Sequence, residues 1–325
     1  GRTNLRDMET KSIAERNIFK KVKRLEIRTR HLVDTLFNGD YMSLFKGRGL
    51  EFVSLKEYED GDNIGDIDWS VTARLDEPYI KTYREERELP VMLIIDGSPS
   101  MQCGIDSKRK WDAVLEVSAT LIFSAVRSNS RIGLLIFTDK IELFIPPAKG
   151  NGHAFRILKG LLEYRRPSHS HPPLIPPLVR GETEGLKGGC GGIIPLQYLH
   201  RAIKKRSIVF FISDFIFPLN KRDWFGSAKR YDLIAVRVLD QDELQFPDIG
   251  LADIIDAETG EYLSFDSSDK GFIEEYAMAA SDRERETHDF FNRLKIDDVL
   301  IRTDRPLIAP FLRLFYKRAR QGIRV

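Results

Sequence analysis

Two aspartates and two serines set the chemistry available to this chain. In the stretch VMLIIDGSPSM, residues 91–101, five apolar residues run into Asp96, and Ser98 and Ser100 follow at every second position. A second apolar run, SIVFFISD (207–214), also ends in a carboxylate, Asp214. Carboxylates at two strand ends, joined by two hydroxyls and no His or Cys, form a hard, all-oxygen donor set that suits Mg²⁺ or Mn²⁺. Such a set is incomplete by itself and leaves a position open for a partner's carboxylate.

Other chemistries fit these residues less well. A serine nucleophile needs a Gly-x-Ser-x-Gly elbow, and DGSPS has no second glycine. None of His31, His153, His169, His171, His200 and His288 stands at the end of a predicted strand, where a general base would be placed. An aspartyl-phosphate enzyme using Asp96 would carry a second carboxylate two residues on, where this chain has Ser98. No Gly-x-x-x-x-Gly-Lys-Ser/Thr loop is present, so the chain is not itself a P-loop ATPase. The plainest alternative is that Asp96 and the serines only cap the helix predicted to begin near residue 108. Asp214, at the end of a matching strand, favours a shared site. Asp66 and Asp68 in GDIDW read as turn residues that pair with Arg74 or Arg84. Trp69 is expected to anchor the segment around it on the core. His169 and His171 lack a third ligand nearby.

The elements that must position Asp96 and Asp214 follow from periodicity. PVMLIID, RIGLLIFTD, SIVFFISD and YDLIAVRVLD are continuous apolar runs, as expected of parallel strands covered on both faces. Helical patterns lie between them at 108–127, 153–164 and 195–206. This alternation predicts an α/β fold, a doubly wound, mostly parallel sheet over residues 90–240. Ligands of such sheets bind beyond the carboxyl ends of the strands, the edge shared by Asp96 and Asp214. Before it come an N-terminal helical segment (1–44, helix over 12–38 with Ser12 and Glu15 as a capping box and Asn38-Gly39 as its end) and a small β-rich unit (45–89). After it, 241–325 reads as a hairpin turning at Thr259-Gly260 and two helices, near 270–295 and 306–320. PPLIPPLVRGETEGLKGGCGG (172–192) has 4 Pro and 6 Gly in 21 residues and reads as an inserted, disordered loop.

Composition bounds the function. The chain has 325 residues, 42% of them apolar, enough for a large core. No apolar run approaches the ~20 residues that span a bilayer, and the N-terminus is too polar for a secretory signal. Cys103 and Cys190 make neither a disulfide framework nor a four-cysteine zinc site, so a cytoplasmic location is expected. The net charge of +2 conceals an asymmetry. Residues 1–50 carry 12 Lys/Arg against 6 Asp/Glu and residues 301–325 carry 7 against 1, while 51–88 carry 12 acids against 5 bases. Solvated helix faces that pair with the acidic segment account for this better than nucleic acid or membrane binding. The basic, amphipathic FLRLFYKRARQ near the C-terminus is read in the same way, as a helix packed on the core with a solvated Arg face.

LIIDGSPSM, RIGLLIFTD and VFFISDF together resemble a von Willebrand factor A domain with its metal-ion-dependent adhesion site (MIDAS). The preceding GRGLEF, EYEDGDNIGDIDW, TAR and REERE narrow this to the bacterial "domain of unknown function 58" family, from about residue 20 to the C-terminus outside the insertion. The resemblance implies a bacterial, non-enzymatic protein–protein interaction adaptor or chaperone acting with MoxR-type AAA+ ATPases on client protein complexes, with no nucleic acid and no stable membrane insertion. It also implies a magnesium site of Asp96, Ser98, Ser100 and Asp214. The remaining ligand of such sites is a Thr, whose position here falls near Cys190. A thiol is a poor Mg²⁺ ligand, and neither Thr183, Ser168 nor Ser170 stands at that position, so a weakened site is expected. The alternative function is a metal-dependent phosphohydrolase using the same Asp/Ser cluster.

Overall fold

The structure, a computed structural model, describes residues 18–34, 51–59, 67, 69–75, 77–84, 89–102, 110–164, 193–240, 243, 251–255, 262–266 and 270–320. The insertion at 172–192, Ser12, Glu15, Asn38-Gly39, Asp66, Asp68, Cys103, Ser168, His169, Ser170, His171, Thr183, Cys190 and Thr259-Gly260 all lie outside the described residues. In chain order come α1 (18–34), β1 (Glu51–Glu57), α2 (Trp69–Leu75), β2 (Tyr79–Arg84), β3 (Val91–Asp96) and α3 (Lys110–Arg127). Then follow β4 (Ile132–Phe137), β5 (Ile141–Ala148), α4 (Asn151–Glu163), α5 (Ile193–Ala202), β6 (Ile208–Ser213) and α6 (Lys221–Arg230). Last are β7 (Asp232–Leu239), β8 (Leu251–Ile255), β9 (Tyr262–Asp266), α7 (Lys270–Arg293), β10 (Asp297–Arg302) and α8 (Ala309–Arg320).

The expected doubly wound α/β sheet is present, with six strands in the order β10-β7-β6-β3-β4-β5. Every neighbouring pair is parallel except β4 and the edge strand β5. Strand alternation explains why its central strands have no polar face. Val91, Leu93 and Ile95 of β3 enter one apolar layer with α3, α4 and α8, whereas Met92 and Ile94 enter the opposite layer with α5, α6 and the end of α7. All six residues of β3 are buried. The chain leaves β3 for β4 on one side and later reaches β6 on the other. The winding therefore reverses at the β3/β6 boundary, and a crevice opens there beyond the strand ends.

Small units surround this sheet. α1 lays Val22, Ile18 and Leu25 on the core and ties itself to α3 through Arg28–Glu116, at 2.7 Å, and Arg127–Asp34. β1 and β2 pair antiparallel, as do β8 and β9. Several findings depart from expectation, β5 and α6 among them, which lie outside every predicted element. Trp69 starts α2 and is 67% exposed, so it does not anchor its segment on the core. Residues 297–302, outside every predicted element, form β10, which extends the main sheet along the whole of β7.

Candidate functional site

Register brings the two aspartates together. Ile95 of β3 stands opposite Ile212 of β6, so Asp96 lies beside Ser213 and Asp214 one residue farther out. The Ser213 hydroxyl donates to Asp96 Oδ2 at 2.6 Å, and Ser98 N donates to Asp96 Oδ1 at 2.9 Å. The second bond closes a tight turn after β3, which the Met101 N–H continues by donating to the Ser98 carbonyl at 3.1 Å. The Ser98 and Ser100 hydroxyls stand 3.0 Å apart, both half-buried. The aspartate does shape the turn, as a simple cap would, and its carboxylate also bridges two strands.

Backbone constraints hold this turn in place. Gly97 N donates to the Phe137 carbonyl at 2.7 Å, and the Tyr164 hydroxyl donates to the Gly97 carbonyl at 3.1 Å. A Cβ at residue 97 would fall 2.3 Å from the Tyr164 hydroxyl, so only glycine fits beneath that ring. On the β6 side Phe215 adopts φ 56°, a left-handed conformation that costs a bulky residue roughly 1–3 kcal/mol. Its N–H donates to Ser213 Oγ at 2.9 Å, and its ring is wedged among Phe211, Phe217, Trp224 and Phe291. Aromatic packing thus forces the bend that presents Asp214.

The electrostatics are one-sided. Lys110, at the start of α3, is 1% exposed and directs its ammonium at Asp214 Oδ2, 2.9 Å away, and at Glu243 Oε1. Glu243 in turn accepts from Asp240 N at 3.1 Å. Among the described residues, one ammonium therefore serves the carboxylates of Asp214 and Glu243, and Asp96, beside Asp214, has no ion-pair partner. Burial and then the charge of Asp214 push the Asp96 carboxyl up to about 6, against the hydrogen bonds from Ser213 and Ser98. Burial pulls the Lys110 ammonium down, but Asp214 and Glu243 carry it above its ordinary value. Burial also raises Glu243, opposing the charge of Lys110. Burial, with the charges of Glu142, Asp96 and Asp139, raises the Tyr164 phenol, which stays a proton donor.

The donor chemistry fits a hard divalent cation. The site is rich in oxygen, among the described residues no cation pairs with Asp96, and each Asp96 oxygen accepts one neutral hydrogen bond, leaving a lone pair. Among the described residues no three His, Cys, Asp or Glu converge, so the hydroxyls of Ser98 and Ser100 would have to complete the set. Asp214 differs from Asp96 in that Oδ2 is already ion-paired, while Oδ1 accepts from Ile216 N at 3.3 Å. Sequence reasoning missed Lys110, Glu243, Ser213 and Tyr164. Only Ser213 left a signal, a hydroxyl ending an apolar run directly before Asp214. A Ser–His contact does occur elsewhere, between Ser227 Oγ and His200 Nε2 at 2.9 Å. Its serine is fully buried, and Arg230 rather than a carboxylate faces His200 Nδ1, so the pair is not arranged as a nucleophile and base.

Known proteins resemble the chain in sequence, and solved structures align with it in part. Uncharacterized proteins of Mycobacterium bovis and Mycobacterium tuberculosis are 27% identical over 303 residues, 93% of this chain and 90% of theirs. Among solved structures, the conserved hypothetical protein BatB of Bacteroides thetaiotaomicron aligns with TM-score 0.40 and 13% identity, over 72% of this chain and 98% of its own. The SpRpn10 VWA domain aligns with TM-score 0.36 and 12% identity, over 70% and 94%. The family model described as "Protein of unknown function DUF58" matches residues 54–286. That match covers well over half of the sequence, and the chain belongs to the DUF58 family.

Proposed function

We propose that this chain is a non-enzymatic, cytoplasmic adaptor that binds Mg²⁺ or Mn²⁺ at Asp96, Ser98 and Ser100, with Asp214 adding its charge, and through that ion an acidic side chain of a partner protein. The observation that carries this reading is the Asp96 carboxylate at the β3/β6 switch point, which is buried beside Asp214, rises to about 6 and has no ion-pair partner among the described residues, while the nearby Lys110 ammonium is taken by Asp214 and Glu243. A fold gains nothing from leaving such charge buried, whereas a binding site does. When bound, the ion would supply a positive centre with exchangeable water positions, to which a partner's carboxylate can bind. The chain's own residues orient the oxygens and exclude bulk water. The family resemblance points to a MoxR-type AAA+ ATPase as that partner and to the maturation or assembly of client protein complexes as the process. Among the described residues, no helix is long and apolar enough to cross a membrane.

The test combines calorimetric titration of Mg²⁺ and Mn²⁺ with retention of a purified MoxR-type ATPase on the immobilised chain. Retention in Mg²⁺, its loss in EDTA and its loss with Asp96→Ala are expected together, with the variant still folded by circular dichroism. Retention of the ATPase indifferent to chelator and to Asp96→Ala would exclude the ion as the bridge. Metal binding without any retention would remove the adaptor assignment and keep the site.

A further inference from the structure

The two edges of the main sheet are built differently. β5 carries Pro146 and Pro147, which cannot donate to a further strand and so guard that edge. β10, DDVLIR, has no proline, and among the described residues no strand pairs with its outer side. Thr303 N donates to the Leu239 carbonyl of β7 at 3.2 Å. By strand alternation, Val299 and Ile301 also turn their backbone groups to β7, and Asp298, Leu300 and Arg302 turn theirs outward.

A groove of about 500 Å³ runs along that open edge. Asp298, Leu300 and Arg302 line one side, and Ala309, Pro310, Arg313, Leu314 and Lys317 of α8 and its approach line the other. Residues from both faces of the sheet bound the same groove, so the strand edge itself lies between its walls. Its charge is basic. Asp298 is held by both arms of Arg237, at 2.7 Å each, and Asp297 by Arg318 at 2.6 Å, which it shares with Asp232, and by Lys317 at 3.9 Å, so neighbouring cations already neutralise both acids. Arg302, Arg305 and Arg313 remain in front. Arg302 and Arg305 share Asp304, and Arg313 makes no ion pair among the described residues.

We propose that the β10 edge is a second docking surface, distinct from the Asp96 site, which takes an extended acidic segment of a partner protein as an added strand. Outward backbone groups of Asp298 and Leu300 and the N–H of Arg302, whose carbonyl already accepts from Arg305 N at 3.2 Å, supply the main-chain hydrogen bonds, and the basic wall selects carboxylates. A second copy of this chain is a poor occupant, because pairing two β10 edges would oppose two basic walls.

The probe is a fluorescein-labelled peptide of alternating glutamate and valine, with its lysine–valine counterpart as control, followed by anisotropy. The acidic peptide should bind and the control should not, with affinity falling as salt rises. Arg305→Glu with Arg313→Glu should weaken binding by about tenfold or more. Leu300→Pro removes one outward N–H while leaving the ladder to β7 intact, and should weaken it comparably without changing the melting temperature. Hydrogen exchange on the unmodified chain gives an independent reading: the peptide should slow exchange at the Leu300 and Arg302 amides. Equal binding of both peptides would overturn the proposal, as would unchanged exchange at these amides. Anionic vesicles or single-stranded DNA that bind as tightly, lose affinity with the Arg variants and ignore Leu300→Pro would instead identify a general anion patch.

Discussion

Two buried ionic clusters sit on one sheet and are built on opposite principles. Between β7 and β10, Arg237 grips Asp298 with two bonds of 2.7 Å, and Arg318 joins Asp232, at 2.8 and 2.9 Å, to Asp297 at 2.6 Å. Planar guanidinium forks meet carboxylates there, and Lys317 stands 3.9 Å from Asp297 to complete the balance. Between β3 and β6 a single point charge, Lys110, faces Asp214 and Glu243, and Asp96, beside Asp214, has no cation of its own among the described residues. The first cluster is closed and joins an edge strand and a helix to the fold. The second is left short of positive charge among the described residues, which is the difference expected between a structural ion pair and a binding site.

The largest effect should come from removing the central cation of each cluster. Lys110→Met leaves Asp214 and Glu243 facing each other and should cost about 3–5 kcal/mol in urea unfolding, and Arg237→Met should cost a similar amount. Mg²⁺ separates the two. At the open cluster the ion replaces part of the missing charge, so Lys110→Met should recover more stability from millimolar Mg²⁺ than the parent chain gains. Arg237→Met should gain no more than the parent. Equal rescue of both variants, or of neither, would erase the distinction between the clusters.

Asp96→Asn should be the next largest effect, and of opposite sign. The folded carboxyl titrates near 6 and the unfolded one near 3.8, so the fold holds the proton more tightly. This group therefore adds no penalty below 3.8, and its penalty grows as pH rises through that interval. Above pH 6 the penalty reaches about 3 kcal/mol, from a shift of roughly two units at 1.36 kcal/mol each. Without divalent ions, Asp96→Asn should stabilise the chain by up to that amount at pH 7.5, and the gain should shrink as pH approaches 4. Asn keeps an acceptor for Ser98 N, so the turn survives. Asp298→Asn should destabilise at pH 7.5, because Arg237 would lose its charged partner. Destabilisation by Asp96→Asn at pH 7.5 would mean that its carboxylate is satisfied within the fold.

The open cluster was half legible in the sequence and the closed one was not. Asp96 and Asp214 each end an uninterrupted apolar run, and only parallel strands buried on both faces combine that pattern with a carboxylate at the same end. Their meeting at the switch point followed from the winding. Lys110 could not be found this way: it ends SKRK, where nothing separates it from Lys108 and Arg109, and its burial depends on where α3 lies against β6. Glu243 was hidden likewise among the acids of DQDEL. β10 escaped because Asp297 and Asp298 make it look like a polar turn, while the guanidiniums that neutralise them come from 21 and 61 residues away. Trp69 shows the reverse error, an aromatic assigned to the core from its type alone that stands in solvent.

The smallest effect tests how the open cluster keeps its shape without a balancing charge. Tyr164 follows α4 directly, stacks on Trp111 at 5.4 Å and donates to the Gly97 carbonyl. Tyr164→Phe keeps the ring and removes that one bond, which should cost about 1 kcal/mol of stability. The turn retains the Gly97–Phe137 bond and the Asp96–Ser98 bond, both shorter than the one lost. Mg²⁺ affinity measured by calorimetry should therefore fall less than about tenfold, the equivalent of 1.4 kcal/mol. A larger loss with little change in melting temperature would mean that Tyr164, rather than the strand-end hydrogen bonds, holds Ser98 and Ser100 in register. The charge imbalance of this cluster would then depend on the end of α4, and no longer on the sheet alone.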